Sequence, residues 1–463
     1  MRNGLEKFFN PTSVAIVGAT PVEGKLGRIV LENFIKRFRG RVYPVNPRYD
    51  EIFGLKCYKS VSELPETPDL VVVIVPAPSV PSIVREAAVK GVPAVIVISG
   101  GFAETGTFEG EKLEKELKEI SKAYGIRIMG PNGLGVFDNY SGVDTFFVPE
   151  ERLKRPPRGH IALVSQSGAF TCMLMDWMAY HGIGLAKAIS YGNKVDVDDV
   201  DVLEYLAEDE NTKVILMYIE DLKPGRGRLF IDIAKKVVKK KPIVVYKAGK
   251  TKRGGVAALS HTAAMTGEYT VYKAAFKQAG IIEAETFDEM MDFVRILLHQ
   301  PLMRGNNVFI ITTSGGVGVM LTDALIDAGF EVPRTPNDVR EALRKVFPPH
   351  WIVENPIDLT GDAVDEDYIH VLDLLIDKPY VNAIVVVVGP YLPRFKGIVV
   401  DYLAKIRTEY RKPIVAITIG GERIMKIAEK FEENGITVFE SPERLARALK
   451  ALYTYSMIKP RGE

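Results

Sequence analysis

The chain has 463 residues, of which 47% are hydrophobic, and its formal net charge at pH 7 is +1. A domain usually holds about 150 residues, so this length predicts about three domains. The balanced charge gives no reason to expect binding to nucleic acid or to an anionic membrane. The longest apolar runs, such as LVVVIVPAP and VNAIVVVVGP, are too short for a membrane-spanning helix of roughly 20 residues, and their β-branched residues indicate buried strands.

The N-terminal sequence lacks the apolar core and small-residue cleavage site of a secretory signal. Cys57 and Cys172 are too few for a disulfide framework or a thiolate metal site. We therefore expect the reducing cytoplasm as the location. The sequence has no paired histidines at metal spacing and no G-x-S-x-G motif, so zinc and serine-hydrolase chemistry have no support.

One pattern occurs three times, beginning at Val14, Ile161 and Val308: a β-branched run, a Gly/Ser turn and an amphipathic stretch. Further apolar runs follow in each segment, so each predicts β-α-β-α-β. Such continuous apolar strands are typical of parallel sheets covered on both faces. We predict an α/β protein of three doubly wound parallel-sheet domains. The boundaries should lie in the polar stretches 148–159 and 299–307, which gives domains of residues 1–148, 149–302 and 303–463.

Two common nucleotide motifs are not met. The glycines of the first turn, Gly18, Gly24 and Gly27, do not have the G-x-G-x-x-G spacing, and no acidic residue ends the next strand, so a nicotinamide cofactor is disfavoured. The Gly249-Lys250-Thr251 segment resembles the end of a P-loop, but Val244 stands where that motif needs glycine.

The three Gly/Ser turns are candidate anion sites, because ligands bind beyond the carboxyl ends of parallel strands, where helix N-termini present N–H groups. The turns lie at Gly18, at Ser165–Gly168 and at Ser314–Gly316. For each turn taken alone, a glycine or serine that only permits a tight bend is an equally good explanation.

His261 is the candidate nucleophile among the six histidines of the chain. Gly, Ala, Ser and Thr surround it in KRGGVAALSHTAAMTG, so another molecule can approach the ring. A free imidazole has a pKa near 6.5, so much of it is neutral at working pH and one nitrogen can attack phosphorus. A capping or solvent-exposed loop histidine is the alternative. The Ser165-Gln166-Ser167-Gly168 turn of the same domain favours the first explanation, because it offers hydroxyl and N–H groups to a phosphate.

Glu220 lies in the segment Tyr218-Ile219-Glu220-Asp221, at the carboxyl end of a predicted strand. A carboxylate there could hold the imidazole in one tautomer and stabilise the cation that forms on phosphorylation. An ordinary polar strand end is the alternative explanation.

Five motifs occur in one order along the chain: VPAP (75–78), GPNGLG (130–135), SQSGAF (165–170), the YIED strand end and SHTAAMTG (260–267). Together they resemble the nucleoside-diphosphate-forming acyl-CoA synthetases, a family that includes succinyl-CoA synthetase and the archaeal ADP-forming acetyl-CoA synthetases. The arrangement is similar to the α subunit of the archaeal enzymes. The resemblance implies a Rossmann-like CoA-binding domain followed by two flavodoxin-like ligase domains.

The resemblance also implies the chemistry. Acyl-CoA, ADP and phosphate would give the free acid, CoA and ATP, reversibly, through an acyl phosphate and phospho-His261. Glu220 matches the glutamate that supports the histidine in the family. The implied phosphate-binding residues are Ser165, Gln166, Ser167, Gly168, Ser314, Gly315 and Gly316. ADP or ATP with Mg would bind mainly to a partner, because the sequence has no recognisable ATP-grasp domain; we expect an ATP-grasp β subunit in an α2β2 assembly.

Coenzyme A would bind to the first domain. Lys25 and Arg48 suit its phosphates as charge partners, whereas Pro76 and Pro78 could simply end a strand. One departure from the family is Gly133, where GPN is usually followed by Cys. The implied contacts are Gly18, Thr20, Pro21, Gly24, Lys25, Asn46, Arg48, Pro76, Ala77, Pro78, Ser99 and Gly100.

Two other functions are weighed against this one. A CoA-binding regulatory protein could keep the fold without turnover, although the presence of His261 counts against it. An acyl-CoA transferase or hydrolase would need a carboxylate or serine nucleophile. The sequence leaves the acyl group open among acetate, branched-chain, aryl and dicarboxylic acids.

Overall fold

A computed structural model of the chain describes residues 4–251, 253–255, 268–389 and 394–459. The chain divides into two compact units, Met1–Glu283 and Ala284–Glu463. In the part of the chain that is described, no helix is both long and apolar enough to span a membrane.

The first sheet has five parallel strands in the order β2-β1-β5-β6-β7. Every residue of β1, β5 and β6 is buried, as expected for a parallel sheet covered on both faces. The strand order reverses between β1 and β5, and ligands bind at such a switch point. The elements are β1 Ser13–Val17, α1 Leu26–Arg37, β2 Arg41–Val45, a hairpin of β3 Glu51–Ile52 and β4 Leu55–Lys56, β5 Leu70–Val73, α2 Val80–Val89, β6 Ala94–Val97, α3 Phe108–Tyr124 and β7 Arg127–Met129.

The second sheet also lies in the first unit and has six strands in the order β13-β12-β11-β9-β10-β8. Strands β9 and β11, at its centre, bring the Ser165 turn next to the end of the Tyr218 strand. The elements are β8 Gly135–Asp138, β9 Arg158–Ser165, α4 Gly168–Tyr180, β10 Leu185–Ser190, α5 Asp199–Glu208, β11 Val214–Ile219, α6 Gly227–Val237, β12 Ile243–Lys247, α7 Tyr269–Ala279 and β13 Ile282–Ala284.

The second sheet is not entirely parallel as expected, because strand β8 pairs antiparallel with β10. It covers the edge that β10 would otherwise leave open. A buried ion pair fixes its end, with Lys187 Nζ 3.1 Å from Asp138 Oδ2. Residues 135–138 precede the boundary expected near residue 148, and yet they join the second sheet. The domain boundaries themselves stay a prediction.

The second unit holds a five-stranded parallel sheet in the order β15-β14-β16-β17-β18. With it, the prediction of three doubly wound α/β sheets is confirmed. Helices α8 and α14 pack together, and Arg444 Nε donates to Asp292 Oδ2 at 2.8 Å. The elements are α8 Phe287–His299, β14 Val308–Thr312, α9 Gly315–Asp327, α10 Asn337–Val346, β15 Ile357–Asp358, α11 Asp365–Leu375, β16 Ala383–Val387, α12 Ile398–Tyr410, β17 Ile414–Ile417, α13 Glu422–Glu433, β18 Thr437–Phe439 and α14 Pro442–Ile458.

The last residue of α8 makes the stability of the second unit depend on pH. Burial lowers the pKa of His299 to about 4, and the cations Arg295 and Arg407 act in the same direction. The ring of the unfolded chain titrates near 6.5, so between these values the unfolded chain binds more protons than the folded one. We expect stability to be fully present above about pH 6.5 and to fall toward pH 4, by at most about 1.4 kcal/mol per pH unit from this group.

Tryptophan fluorescence measures this dependence. Trp351 is 4% exposed and lies in the second unit, and Trp177→Phe leaves it as the sole tryptophan. Denaturant unfolding at pH 7, 6 and 5 should show a flatter pH dependence for His299→Gln than for the parent. His181→Gln, which changes an exposed histidine of the first unit, should keep the parent's dependence. Equal slopes in all three proteins would contradict the assignment.

Candidate functional site

The turn between β9 and α4 is built by its own serine hydroxyls. Ser165 is fully buried, and its hydroxyl accepts from Ser167 N at 3.1 Å and donates to Ser167 O at 3.0 Å. Ser167 is the N-cap of α4 and accepts from Phe170 N at 3.3 Å. With the hydroxyls engaged inside the turn, the backbone N–H groups at the start of α4 that do not donate to Ser167 are its principal means of binding an anion.

The turn between β14 and α9, in the second unit, uses the same device. Thr312 Oγ1 accepts from Ser314 N at 2.8 Å and donates to Ser314 O at 2.9 Å. Gly315 and Gly316 follow and are exposed. A Cβ atom at Gly315 would lie 2.7 Å from Asp358 Oδ2, whereas one at Gly316 would meet nothing within 4 Å. The Ser314–Gly316 segment is thus a helix start of the same kind as Ser165–Gly168.

Gln166 joins the Ser165 turn to the end of β11. Its Oε1 accepts from Glu220 N at 2.5 Å and from Asp221 N at 3.0 Å, and its Nε2 donates to Asp221 Oδ1 at 2.7 Å. Only 7% of Gln166 is exposed. Both ends of the side-chain amide are therefore engaged in holding the strand end, which makes Gln166 a positioning residue in this structure.

Two buried lysines hold the main chain of the same strand end. Lys247 Nζ donates to Glu220 O and to Ala248 O, at 2.5 Å each. Lys194 Nζ donates to Asp221 O at 2.8 Å and pairs with Asp199 Oδ2 at 3.0 Å. Burial lowers the pKa of Lys247 to about 8, although the carboxylates of Asp221 and Glu220 act in the opposite direction.

The Glu220 side chain is 8% exposed and lies on the same face of the strand as Tyr218, two residues earlier. Burial first, and then the Glu220 carboxylate, raise the pKa of the Tyr218 hydroxyl. The Tyr218 ring packs against Phe170, with 4.3 Å between ring centres, and stacks on Tyr246 at 6.0 Å. The predicted glutamate thus stands beside an aromatic row and next to the turn at the start of α4.

His261 and its motif, residues 260–267, lie outside the described residues. Its role as phosphate carrier stays a prediction. Within the described ranges, no group of three or more His, Cys, Asp or Glu side chains is arranged to hold a metal ion.

The turn after β1 requires glycine. Gly18 has φ 95°, and a Cβ atom there would lie 2.2 Å from Ile74 O, at the end of β5. A Cβ atom at Gly27 would lie 2.1 Å from Gly18 O. Asn46 Nδ2 holds the turn from the β2 side by donating to Ala19 O at 2.8 Å. These close approaches shape a backbone cradle at the switch point between β1 and β5.

The other residues predicted to contact CoA gather along the same sheet edge. Ser99 follows β6, and its hydroxyl donates to Val75 O at 2.5 Å, which joins the ends of β5 and β6. Asn46 Oδ1 accepts from Arg48 N at 3.0 Å, and the hydroxyl groups of Thr20 and Tyr49 are 3.3 Å apart. Ala77 is buried and Pro21 half-buried, and the exposed members of the set are Gly24, Lys25, Arg48, Pro76, Pro78 and Gly100.

Gly133, which departs from the family pattern, packs against the second sheet. A Cβ atom at this position would lie 2.5 Å from Ser190 O and 3.0 Å from Gly192 N. In this chain the close approach of the second sheet therefore leaves room only for glycine at position 133.

Sequence reasoning missed the two lysines, Lys194 and Lys247. A signal existed for Lys247, because a charged residue ends the apolar run IVVYK in a strand that must be buried on both faces. Lys194 has φ 57°, a backbone conformation that is uncommon for residues other than glycine and that only the structure reveals.

Three protein-family models match this chain, one after another along the sequence. Residues 12–138 match the CoA binding domain, residues 158–297 the succinyl-CoA ligase like flavodoxin domain, and residues 308–458 the ligase-CoA domain.

Individual relatives match nearly the whole chain. It is 41% identical to the Pyrococcus furiosus acetate–CoA ligase [ADP-forming] I subunit alpha, over 98% of both chains. It is 39% identical to the Methanocaldococcus jannaschii acetate–CoA ligase [ADP-forming] over 97% of its own length, but it spans only 63% of that relative. Among solved structures it matches acetyl-coenzyme A synthetase 1 of Ca. Korarchaeum cryptofilum, in complex with phosphate and ADP, with a TM-score of 0.91 and 36% identity over 99% of this chain and 98% of that one.

The domain matches, the near full-length similarity and the common fold agree with the five motifs. The chain belongs to the family of ADP-forming acyl-CoA synthetases, the acetate–CoA ligases among them.

Proposed function

We propose that the chain is the α subunit of an ADP-forming acetate–CoA ligase, which reversibly converts acetyl-CoA, ADP and phosphate to acetate, CoA and ATP. The observation that carries the proposal is the Glu220 strand end, held by Gln166 and Lys247 beside the helix start at Ser167. Its relatives bear the names of such ligases and of their α subunits.

The first step is attack of a phosphate oxygen on the thioester carbonyl. The carbon–sulfur bond breaks, CoA leaves as a thiolate that takes up a proton, and an acyl phosphate remains. The N–H groups at the start of α4 suit the phosphoryl group, because a helix N-terminus favours anions. The matching helix start at Ser314–Gly316 is proposed as a second phosphate-binding segment.

In the second step an imidazole nitrogen of His261 attacks the phosphorus, and acetate leaves with the bonding electrons of the phosphorus–oxygen bond. The imidazole becomes positively charged as the nitrogen–phosphorus bond forms. A carboxylate at its other nitrogen stabilises that charge and fixes the tautomer. We assign this task to Glu220, whose main chain is held on both sides.

CoA is assigned to the edge of the first sheet. The Gly18 turn lies at the switch point of the sheet, where a pyrophosphate can meet main-chain N–H groups. Glycine is needed in this turn because a Cβ atom there would collide with Ile74 O. Lys25 and Arg48 are exposed beside it and can pair with CoA phosphates.

ATP formation needs a second protein in this proposal. An ATP-grasp β subunit would bind ADP with Mg and receive the phosphoryl group from His261, in an α2β2 assembly. We expect this assembly in the cytoplasm, where the free thiols of Cys57 and Cys172 stay reduced.

The test is a reconstituted reaction. The chain and its ATP-grasp partner, given acetyl-CoA, ADP, Mg and radioactive phosphate, should form labelled ATP, and the α chain should carry acid-labile, alkali-stable label. A panel of branched-chain, aryl and dicarboxylic acyl-CoAs should react more slowly than acetyl-CoA. Absence of both labelled products with every acyl-CoA would refute the ligase; a faster reaction with another acyl-CoA would refute only acetate as the substrate.

A further inference from the structure

Lys247 places a buried ammonium group at the carboxyl end of β12, next to the Glu220 strand end. Its side chain ends β12 and is fully buried, with 0% exposure. Its ammonium group donates to the carbonyl oxygens of Glu220 and Ala248, at 2.5 Å each, and lies 4.6 Å from the centre of the Tyr272 ring. Burying an ammonium group is costly unless it is well compensated. Here carbonyl dipoles and a ring face supply that compensation.

Glu220 is held at both of its peptide groups. Gln166 accepts from its N–H at 2.5 Å, and Lys247 donates to its C=O at 2.5 Å. With both groups held, the direction in which the Cα–Cβ bond leaves the strand is fixed. Only the side-chain torsions of the glutamate then remain to place its carboxylate.

We propose that Lys247 is a positioning residue for phosphoryl transfer, which fixes the backbone from which the Glu220 carboxylate reaches the reacting histidine. The inference rests on the function proposed above. Lys247 touches neither phosphate nor CoA in this assignment, and it acts only through Glu220.

The charge of Lys247 makes its hold on the Glu220 backbone sensitive to pH. Burial dominates and holds the lysine pKa at about 8. Among the residues that the structure describes, the ionisable groups around it are Asp221 and Glu220 of the β11 end, Lys194 after β10, Glu283 of β13 and Tyr272 of α7. Loss of the proton weakens a charge-assisted hydrogen bond to the Glu220 carbonyl. Phosphohistidine formation should therefore slow as the pH rises through about 8.

Three variants test the proposal in the complete complex. Lys247→Met removes the ammonium group, and Lys247→Arg keeps a charge that does not titrate in this range. Lys241→Met is the matched control, because Lys241 is a half-buried lysine just before β12 that also donates to two carbonyls, Leu206 O at 2.6 Å and Asp209 O at 2.5 Å. Lys241 precedes β12, whereas Lys247 ends it, so the control residue lies at the opposite end of the same strand.

The measurement is the single-turnover rate of phosphohistidine formation from acetyl phosphate between pH 6 and 9.5, with the melting temperature of each variant. Lys247→Met should slow the rate by about 10- to 100-fold, and Lys241→Met should leave it within about twofold while also lowering the melting temperature. Lys247→Arg should retain more activity than Lys247→Met and lose the decline near pH 8.

Each outcome decides. A wild-type complex that forms no phosphohistidine overturns the proposed function and, with it, this inference. If the wild-type complex forms phosphohistidine and Lys247→Met forms it as fast as Lys241→Met does, this inference alone is overturned. Should Lys247→Met fail to fold, Lys247→Arg carries the test, because a decline near pH 8 that persists in it would overturn the assignment.

Discussion

The α chain with His261→Ala should carry no acid-labile phosphate label when it is incubated with its partner subunit, radioactive ATP and Mg. Without the imidazole, no nitrogen at that position can take the phosphoryl group, so ATP formation from acetyl-CoA should fall by at least about 10³-fold. Binding of CoA should be unchanged, because the proposed CoA edge belongs to the first sheet. Filter binding after acid and alkali treatment measures the label, an ATP assay measures the reaction, and calorimetry measures CoA binding.

His160→Ala is the matched control. His160 belongs to β9 of the second sheet, and its Nδ1 lies 2.9 Å from Asn211 O. This variant should retain both the label and ATP formation. Acid-labile label that persists in the His261→Ala chain would identify another phosphate carrier.

The sheets could be predicted because their signals are local. Runs such as LVVVIV and AIVVVV are long, apolar and β-branched, and they lie between turn residues in a repeated order. Strand β8 escaped because Gly135–Asp138 holds only two apolar residues, Val136 and Phe137, between a glycine and an aspartate, and so gives no continuous apolar run. Its partner, β10, lies across the expected domain boundary, and a single sequence does not reveal such pairing.

The sequence predicted which residues lie at the turn and the strand end of the candidate site, but not the hydrogen bonds that join them. Ser167 and Glu220 were recognised from turn chemistry and strand ends. Gln166 was expected among the phosphate contacts, yet in the structure its amide holds two N–H groups of the neighbouring strand. Lys247 was not singled out, since its partner is a main-chain carbonyl of another strand. Hydrogen bonds from side chains to a distant backbone leave no pattern in spacing or composition.

Glu220→Gln should slow phosphohistidine formation by about 10²- to 10⁴-fold while leaving the affinity for CoA nearly intact. The amide has almost the same shape as the carboxylate, and the contacts that Gln166 and Lys247 make are to the main chain of residue 220. The variant should therefore keep the strand end in place and lose only the negative charge. In the proposed mechanism an imidazolium forms as His261 takes the phosphoryl group, and a neutral amide cannot compensate its charge.

Three readouts separate this effect from a loss of structure. The melting temperature of Glu220→Gln should stay close to that of the parent. Glu208 is an exposed glutamate at the end of α5 that pairs with Lys240, and Glu208→Gln should form phosphohistidine at the parent rate. The pKa of Tyr218, which the Glu220 carboxylate helps to raise, should fall in the Gln variant. If the pKa of Tyr218 falls but phosphohistidine still forms at the parent rate, the carboxylate has been removed without effect on the reaction. Glu220 would then have no part in the mechanism.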